Sequence, residues 1–459
     1  MQLIIFNHFD RISKAAFHPQ ERVGVVRGLL ISFGVLMLSG VVPAAEAATP
    51  TAIEPAIKAT TFVFGAPAGA ASGTQVTDTA PYDAAKGYGF VSIPGGNEHA
   101  FSLRVPPGDY LVTATLGNPK APSRTSIWAE DRRLVAAPVT VKKGETRTVT
   151  FRVNVRNAFL DPAEQDAVKS PHVGLRGDEP EGRTWDDQLT ISVSGSAPAL
   201  VSLTVAPVTG RRVLIAGDST VTDQAGTDYA SWGQMLPRFL GPDIIVANHA
   251  RSGETMKSFL TSLRWDKLLS EIRSGDVVLI QFAHNDEKKQ WPRTYAAADG
   301  AYPAYLAAFV ADVRQRGAEP VLVTPVARRT FNASGKIDNS HAGYDSAVRD
   351  VATRLNVPLI DLTAKTTQMY ETLGPDISPL AFGNGGKDKT HHNAYGAYMI
   401  ACFVAQDLSG FAGLNINAAA DLPVCSPEHP DDPRHFALEA ADWPVMRAEV
   451  TQKDEVTPR

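Results

Sequence analysis

After Gly210 the chain alternates short, uninterrupted apolar runs with longer segments of helical periodicity. An apolar run without polar alternation is typical of a strand buried on both faces, and strands that alternate with helices form a parallel sheet covered by helices. The apolar runs start at Val213, Ile244, Val277, Val321 and Pro358. Two helical segments end on Gly317 and Asn356, residue types that commonly close a helix. We therefore predict an α/β domain with a parallel sheet over residues 210–413.

Three polar segments, GDST, NHARSGET and AHND, follow apolar runs directly. Ligands of parallel α/β sheets bind beyond the carboxyl ends of the strands. Because each segment starts where a predicted strand ends, all three are expected at that one edge of the sheet. The Gly-Asp-Ser sequence at Ser219 then has two interpretations, a tight turn or a nucleophile held at the sheet edge.

A serine nucleophile needs a base to take its proton and a third group to orient that base. The segment DKTHHNAYGA supplies both, with Asp388 and His391 in an Asp-x-x-His spacing before the last predicted helix. The backbone N–H groups of Ser219 and Gly253 and the side-chain amide of Asn285 are candidate donors to an oxyanion. Each feature alone has a structural explanation as a turn, a conformational glycine, a loop-capping amide or a helix start. Their shared placement favours a serine hydrolase that needs no metal or organic cofactor.

Three further polar residues are predicted to support this site. His284 and Asp286 flank Asn285 and are expected to organise the loop that orients its amide, and Asp218 precedes the nucleophile. Asp286 is also an alternative to Asp388 as the partner of the catalytic histidine. The short Asp-x-x-His spacing favours Asp388.

The order GDS, the Gly253 segment, HND and Asp-x-x-His resembles the four sequence blocks of the SGNH (GDSL) hydrolases. Segments between Arg211 and Leu408 further resemble carbohydrate esterase family 12, the rhamnogalacturonan and pectin acetylesterases. These segments are AGDSTVTD, YASWGQML, NHARSGETMKSF, RWDKLL, GDVVLIQFAHNDEKK, VLVTPVARR, VPLIDL and DKTHHNAYGAY. The resemblance implies a flavodoxin-like three-layer αβα domain. It also implies a secreted serine esterase that removes O-acetyl groups from plant cell-wall polysaccharide through an acetyl-enzyme.

Carried onto this chain residue by residue, the resemblance implies Ser219 as the nucleophile, His391 as the general base and Asp388 as the acid that orients it. It implies an oxyanion hole formed by Ser219, Gly253 and Asn285. The expected partner is therefore an acetylated polysaccharide or oligosaccharide, and no cofactor is implied.

Two positions depart from the family pattern. Ala283 stands before His-Asn-Asp, where the family usually has glycine, and this is expected to be a small change at a strand end. Glu254 and Thr255 follow Gly253, where Arg-Ser is frequent. We expect Glu254 to place a negative charge at the mouth of the site.

Two alternatives to a pectin or rhamnogalacturonan deacetylase stay open. The first is an SGNH esterase, lipase or thioesterase for a different acyl substrate, including acetylated xylan. A lipid substrate would require an apolar acyl tunnel, whereas the loops GDSTVTDQAGTDYAS, AHNDEKKQ and FGNGGKDKT are polar and suit sugars. The second is a non-catalytic glycan-binding protein, which the complete set of catalytic residue types disfavours.

Residues 51–206 alternate apolar and polar positions with the period of a strand. Tyr110–Leu116, Phe151–Arg156 and Leu189–Ser194 are predicted strands, and PPGD, KKGE and GDEPEGR are predicted turns, so we expect an all-β sandwich domain. The segment resembles a galactose-binding or carbohydrate-binding module. Its aromatic residues are expected either to form a core or to line a sugar-stacking face; they are Tyr82, Tyr88, Phe90, Trp128 and Trp185. Because every predicted catalytic residue follows Gly210, the α/β domain is expected to act alone on small esters.

Residues 1–47 are predicted to be a signal peptide, because Arg27 precedes the apolar run LLISFGVLMLSGVV and PAAEA ends in an Ala-x-Ala pattern. A retained anchor helix is the alternative. The expected location is secreted or periplasmic, where Cys402 and Cys425 can form a disulfide. Residues 414–459 are a predicted C-terminal tail that wraps the surface or is partly disordered. The net charge of −5, with no run of Lys and Arg, favours neither nucleic acid nor a membrane as a partner of the mature form.

Overall fold

The computed structural model describes residues 58–64, 73–77, 80–92, 99–163, 165–177, 179, 182–224, 228–436 and 438. The predicted signal peptide and the end of the predicted C-terminal tail lie outside these ranges. Within them, no helix combines the length and the apolar character needed to cross a membrane.

The alternating segments before Val208 form strands. These are β1 (Thr60–Phe64), β2 (Thr74–Val76), β3 (Tyr88–Ser92), β4 (His99–Arg104), β5 (Gly108–Leu116), β6 (Ser123–Ala129), β7 (Arg133–Val141), β8 (Arg147–Val155), β9 (Gln188–Ala197) and β10 (Leu200–Pro207). They make two five-stranded sheets with the orders β2-β1-β10-β5-β8 and β3-β4-β9-β6-β7. Neighbouring strands are antiparallel apart from the parallel pair β1 and β2.

Burial alternates along β5 as its sequence predicts. Val112, Ala114 and Leu116 are buried, whereas the residues between them are half-exposed. The buried face contributes to a core that also contains Phe101 and Ile127 of the other sheet. The strands predicted within residues 51–206 are therefore present, and the two sheets share one hydrophobic core.

The aromatic side chains of this region lie mainly in packed environments. Trp128 is 1% exposed. The rings of Tyr88 and Phe90 lie 6.4 and 5.7 Å from the ring of Phe101. The ring of Trp185 is covered by an arginine guanidinium 4.6 Å from its centroid. These contacts favour the core interpretation of the aromatic residues over a sugar-stacking face.

The apolar runs after Gly210 form strands β11 (Arg211–Gly217), β12 (Ile244–Asn248), β13 (Val277–Gln281), β14 (Glu319–Val323) and β15 (Leu359–Ile360). The helices are α1 (Trp232–Met235), α2 (Met256–Thr261), α3 (Arg264–Glu271), α4 (Ala301–Gln315), α5 (Tyr344–Leu355), α6 (Leu362–Ile377) and α7 (Ala394–Gly410). The strands pair in parallel in the order β12-β11-β13-β14-β15. This is the order of a flavodoxin-like sheet, and the predicted α/β fold with a parallel sheet is confirmed.

Burial on both faces explains why the strand sequences are uninterrupted apolar runs. In β11, Val213 and Ile215 pack in a cluster with α1, α6 and α7. Leu214 and Ala216 pack in a second cluster with α2, α3, α4 and α5. Alternate residues of one strand thus enter opposite helical layers.

The C-terminal segment is attached to the last helix. Cys402 in α7 and Cys425 are joined by a disulfide with a Cα–Cα distance of 6.2 Å. The backbone of Ala419 donates to the carbonyl of Phe239, and the ring of Phe436 packs on that of Tyr395. The described part of the predicted tail therefore wraps the surface of the α/β region.

Candidate active site

The carboxyl ends of three adjacent strands carry the predicted site residues. Ser219 follows β11, Gly253 follows β12, and Asn285 follows β13. Because β11 lies between β12 and β13, the loops that carry Gly253 and Asn285 flank Ser219. His391 reaches the same edge from the segment before α7.

Ser219, His391 and Asp388 form a continuous chain of hydrogen-bond contacts. The Oγ of Ser219 lies 2.9 Å from Nε2 of His391, and Nδ1 of His391 lies 3.0 Å from Oδ2 of Asp388. When Nδ1 carries the imidazole proton and donates to Asp388, Nε2 can accept the proton of the serine hydroxyl. The structure thus brings together the three side chains that were predicted as a catalytic triad.

The surroundings of Asp388 hold it as a carboxylate. Its Oδ1 accepts the backbone N–H of Thr390 at 2.7 Å and that of His391 at 2.9 Å. Partial burial opposes the charge, but the side chain of His391 and the two backbone N–H groups hold the pKa of Asp388 well below its ordinary value. A permanently charged Asp388 can stabilise an imidazolium on His391.

The segment that carries His391 is packed against Tyr229. The two rings meet edge to face with centroids 5.9 Å apart. Gly383, whose N–H donates to the carbonyl of His391 at 3.0 Å, lies against the same tyrosine. A Cβ at position 383 would come within 2.3 Å of Cδ1 of Tyr229. Only a glycine at this position leaves room for the tyrosine ring beside the histidine.

Local hydrogen bonds fix the turn that carries the nucleophile. The Oδ1 of Asp218 accepts from the backbone N–H and the hydroxyl of Thr220, at 3.0 and 2.8 Å. The carbonyl of Ser219 accepts from the side chains of Gln224 and Ser231, both at 2.7 Å. The turn and the nucleophile interpretations of Gly-Asp-Ser are therefore compatible, because the turn holds the serine in place.

The predicted oxyanion donors have N–H groups that secondary structure does not use. In the described ranges, neither the backbone N–H of Ser219 nor that of Gly253 donates to a backbone carbonyl. Gly253 has a φ of +79°, a left-handed conformation that glycine adopts without strain. The amide of Asn285 donates to the carbonyl of Glu254 at 3.0 Å, which leaves its second N–H for a ligand.

Glu254 does not bring a negative charge to the mouth of the site, and that expectation is wrong. Its side chain is completely buried, forms an ion pair with Arg176 and lies 3.2 Å from Nε of Arg264. The hydroxyl of Ser258 also donates to the carboxylate. The charge is neutralised inside the protein because a buried carboxylate is stable only with such partners.

A second aspartate and histidine pair connects the loops that carry Ser219 and Asn285. Oδ2 of Asp218 lies 3.3 Å from Nδ1 of His284, and both residues are buried. Burial lowers the pKa of His284 to about 4, so this imidazole is neutral at pH 7. Burial opposes the charge of Asp218, but His284 and Thr220 hold the pKa of Asp218 below its ordinary value. The pair joins the ends of β11 and β13.

Asp286 lies in the loop after β13 and does not pair with His391. It is completely buried, and its Oδ1 accepts the backbone N–H of Met256 at 3.0 Å. Burial raises the pKa of Asp286 to about 8, so the carboxyl group is mostly protonated at pH 7. Its contact links the loop after β13 to the start of α2.

Ala283 has a backbone conformation that explains the glycine usual at this position. Its φ is +149°, and the residue is completely buried at the end of β13. A positive φ is strained for a residue with a Cβ. Alanine in place of glycine therefore changes more than the size of the side chain. It also places a strained backbone conformation two residues before Asn285.

Three large side chains near this edge are buried and belong to the core; they are Trp232 of α1, Trp265 of α3 and His249. Nε1 of Trp232 donates to Gln281 at 3.0 Å, and Trp265 stacks on Phe309 with centroids 3.8 Å apart. His249 is buried, and burial lowers its pKa to about 4. No group of three His, Cys, Asp or Glu side chains in the described ranges is arranged to hold a metal ion.

The contacts of the N-terminal region with this edge were not predicted from the sequence. Arg176 and Glu179 belong to the segment between β8 and β9 and pair with Glu254 and Arg264. The predicted GDEPEGR turn lies within this long segment. Its density of charged residues was the available signal, but charge alone does not identify a partner far along the chain.

The chemistry available at this edge is acyl transfer. A hydroxyl contacts an imidazole that can take its proton, a carboxylate holds the imidazole, and unused N–H groups lie in the flanking loops. These are the components that nucleophilic attack on a carbonyl requires.

Residues 215–397 match the GDSL-like lipase/acylhydrolase family. The rhamnogalacturonan acetylesterase RhgT of Bacillus subtilis (strain 168) is 35% identical over 210 residues, which cover 43% of this chain and 89% of RhgT. The probable rhamnogalacturonan acetylesterase YesY of the same organism is 34% identical over 199 residues, 43% of this chain and 91% of YesY. The X-ray crystal structure of the Bacillus subtilis protein YxiM is 25% identical, with a TM-score of 0.44, and the match covers 78% of this chain and 100% of that one. The chain therefore belongs to the GDSL-like lipase/acylhydrolase family and is a carboxylic ester hydrolase.

Proposed function

We propose that this hydrolase removes O-acetyl groups from a polysaccharide through an acetyl-enzyme formed on Ser219. The observation that carries the proposal is the hydrogen-bonded chain from Ser219 through His391 to Asp388. The similarity to RhgT and YesY supports an acetyl ester of rhamnogalacturonan or a related pectin as the substrate.

In the first half of the reaction, Oγ of Ser219 attacks the acetyl carbonyl while Nε2 of His391 takes the hydroxyl proton. The carbonyl oxygen becomes negatively charged and accepts hydrogen bonds from N–H groups of Ser219, Gly253 and Asn285. His391 then gives its proton to the sugar oxygen as the bond to that oxygen breaks. Asp388 stabilises the imidazolium between these two transfers.

In the second half, water replaces the sugar hydroxyl. His391 takes a proton from the water as its oxygen attacks the acetyl group on Ser219. Collapse of the second tetrahedral intermediate releases acetate and returns the proton to Oγ of Ser219. His391 therefore takes part in every proton transfer of this cycle.

Charged side chains around the site favour an acidic polysaccharide. Lys289 follows the Asn285 loop, and Lys387 and Lys389 flank Asp388; all three lysines are exposed. Glu254, the acidic residue expected at the mouth, is buried between arginines and adds no repulsion. Exposed ammonium groups beside the site attract a polymer that carries uronate groups.

We also propose that the protein is exported and that residues 1–47 are removed as a signal peptide. The apolar run before the Ala-x-Ala pattern supports cleavage, and the Cys402–Cys425 disulfide suits an oxidising compartment. Within the mature protein, we propose a galactose-binding-like sandwich over residues 51–206 and an SGNH hydrolase domain over residues 210–413.

Acetate release from a set of acetylated polymers tests the substrate. Purified protein is incubated with acetylated rhamnogalacturonan, acetylated pectin, acetylated xylan and aryl esters of increasing acyl length, with Ser219→Ala as the control. We expect the highest kcat/KM on rhamnogalacturonan or pectin, and activity on aryl esters to fall as the acyl chain lengthens. Hydrolysis of long-chain esters without acetate release from any polymer would contradict the proposal.

A further inference from the structure

The segment between β8 and β9 forms a buried ion network with the loop that carries Gly253. Arg176 pairs with Glu254, and Glu179 lies 2.6 Å from Arg264. Nε of Arg264 in turn lies 3.2 Å from Glu254. Glu254 and Arg264 are completely buried, so their contact is shielded from solvent, whereas Arg176 is partly exposed.

Glu254 connects two of the proposed oxyanion donors. It follows Gly253 directly in the chain, so a shift of Glu254 moves the backbone of Gly253. Its own carbonyl accepts the amide of Asn285 at 3.0 Å. Arg176, in the segment between β8 and β9, therefore holds the residue on which both Gly253 and Asn285 depend.

The turn between β6 and β7 and the first residue of β7 make a second contact, with the loop that follows Ser219. Nε of Arg133 lies 2.6 Å from Asp223. Arg132 donates to the carbonyl of Gln224 at 3.3 Å, and the side chain of Gln224 donates to the carbonyl of Ser219 at 2.7 Å. The N-terminal sheets are thus connected to the nucleophile through one intermediate side chain.

The β6–β7 turn is held in an unfavourable backbone conformation. Glu130 and Arg132 have φ values of +52° and +59°, although neither is a glycine. Both side chains are almost completely buried. Strained backbone with buried charged side chains persists where the surrounding contacts determine it, and here those contacts include the nucleophile loop.

We propose that the N-terminal region, through its β6–β7 turn and the segment between β8 and β9, holds the catalytic site of this esterase in place, and that Arg176 is a positioning residue which acts through Glu254 on the oxyanion donors. The proposal rests on the catalytic roles given above to Ser219, Gly253 and Asn285. It differs from an accessory domain that binds polymer while the α/β region acts alone.

The same two parts of the chain also meet at the amino ends of the parallel strands, which provides a matched control. Arg273 donates to Asp109 of β5 at 2.8 Å, and Asp109 is buried. Arg176 and Arg273 are both partly exposed arginines that pair with a buried carboxylate. Each pair joins a residue that precedes Gly210 to a residue that follows it. It precedes β13 and therefore lies at the edge opposite Ser219.

The test compares Arg176→Met with Arg273→Met in the full chain, using 4-nitrophenyl acetate and the thermal midpoint. We expect Arg176→Met to lower kcat by about 10- to 100-fold with KM changed less than about twofold, because misplaced donors act on the transition state. Arg273→Met should leave kcat within about twofold of the wild type, although both variants lower the thermal midpoint. Arg176→Lys should recover most of the lost kcat.

An Arg176→Met variant that keeps the wild-type kcat, or that loses no more kcat than Arg273→Met, would overturn the proposal. If Arg176→Met does not fold, Arg176→Gln and Glu179→Gln replace it, because each removes one charge of the network, and wild-type kcat in both has the same meaning. The wild type is measured first on the same ester. Its failure to hydrolyse the ester would contradict the proposed function, whereas an active wild type with unaffected Arg176 variants contradicts only this inference.

Discussion

Nε2 of His391 lies 2.9 Å from Oγ of Ser219, although 172 positions separate the two residues in the chain. Ser219 is placed by the end of the central strand β11, and His391 by the short segment before α7. The hydrogen bonds that fix the Ser219 carbonyl and the Asp388 carboxylate make both ends of this contact rigid. A base held in this way needs no rearrangement before it takes the serine proton.

Asp388→Asn is expected to lower kcat on 4-nitrophenyl acetate by about 10⁴-fold with the fold intact, because the imidazole loses the carboxylate that sets its tautomer. Circular dichroism and the thermal midpoint check the fold. Asp286→Asn is the matched control and should lose far less activity, since Asp286 contacts the backbone of Met256 and not the histidine. A larger catalytic loss at Asp286 would show that the acid has been assigned to the wrong carboxylate.

Asn285→Ala removes one proposed oxyanion donor. We expect kcat to fall by about 10²–10³-fold with little change in KM, because the amide serves the charge that develops in the transition state. Steady-state kinetics on a soluble acetate ester separate the two constants. An increase in KM alone would instead identify Asn285 as a ligand of the ground-state substrate.

Asp286→Asn should also change how stability depends on pH. Burial raises the pKa of Asp286 to about 8, whereas an unfolded aspartate has an ordinary pKa near 4. The contribution of Asp286 to the free energy of unfolding is therefore fully present below about pH 4 and is lost as the pH rises to about 8. Over this range the free energy of unfolding falls by about 1.4 kcal/mol per pH unit. The amide does not titrate. The thermal midpoint of the variant should therefore rise relative to that of the wild type as the pH increases from 5 to 8.

The midpoints of both proteins are measured across that range. A difference that stays constant with pH would show that Asp286 titrates as an ordinary exposed aspartate.

The Cys402–Cys425 disulfide closes a segment of 23 residues and ties the C-terminal segment to α7. Replacing both cysteines with alanine should lower the free energy of unfolding by about 3 kcal/mol, because the unfolded chain loses a cross-link. Activity at 25 °C should be retained, since the disulfide is not among the contacts of Ser219, His391 and Asp388. Denaturant unfolding of the variant, compared with the wild type under reducing and non-reducing conditions, checks the magnitude.

The parallel sheet was predictable because a strand that is buried on both faces is an uninterrupted apolar run in the sequence. Val213 and Leu214 are both apolar since they enter different cores. The pairing of Asp388 with His391 was predictable for a similar reason, as both residues lie in one short turn. Gly317 and Asn356, with φ values of +71° and +49°, follow α4 and α5 where the sequence placed the helix ends.

The environment of Glu254 was not predictable because it depends on distant parts of the chain. Arg176 lies 78 positions away in the N-terminal region, and no local pattern pairs the two residues. The protonated state of Asp286 likewise follows from complete burial, which the sequence of a polar loop does not indicate. The strain at Ala283 was visible in the sequence only as a departure from the family's usual glycine.

The kcat of Ser219→Ala on 4-nitrophenyl acetate tests whether Ser219 is the nucleophile. We expect a loss on the order of 10⁶-fold with an unchanged thermal midpoint, because the substitution removes the attacking oxygen and leaves the surrounding hydrogen bonds of the backbone in place. A folded Ser219→Ala protein that releases acetate at a rate near that of the wild type would contradict it.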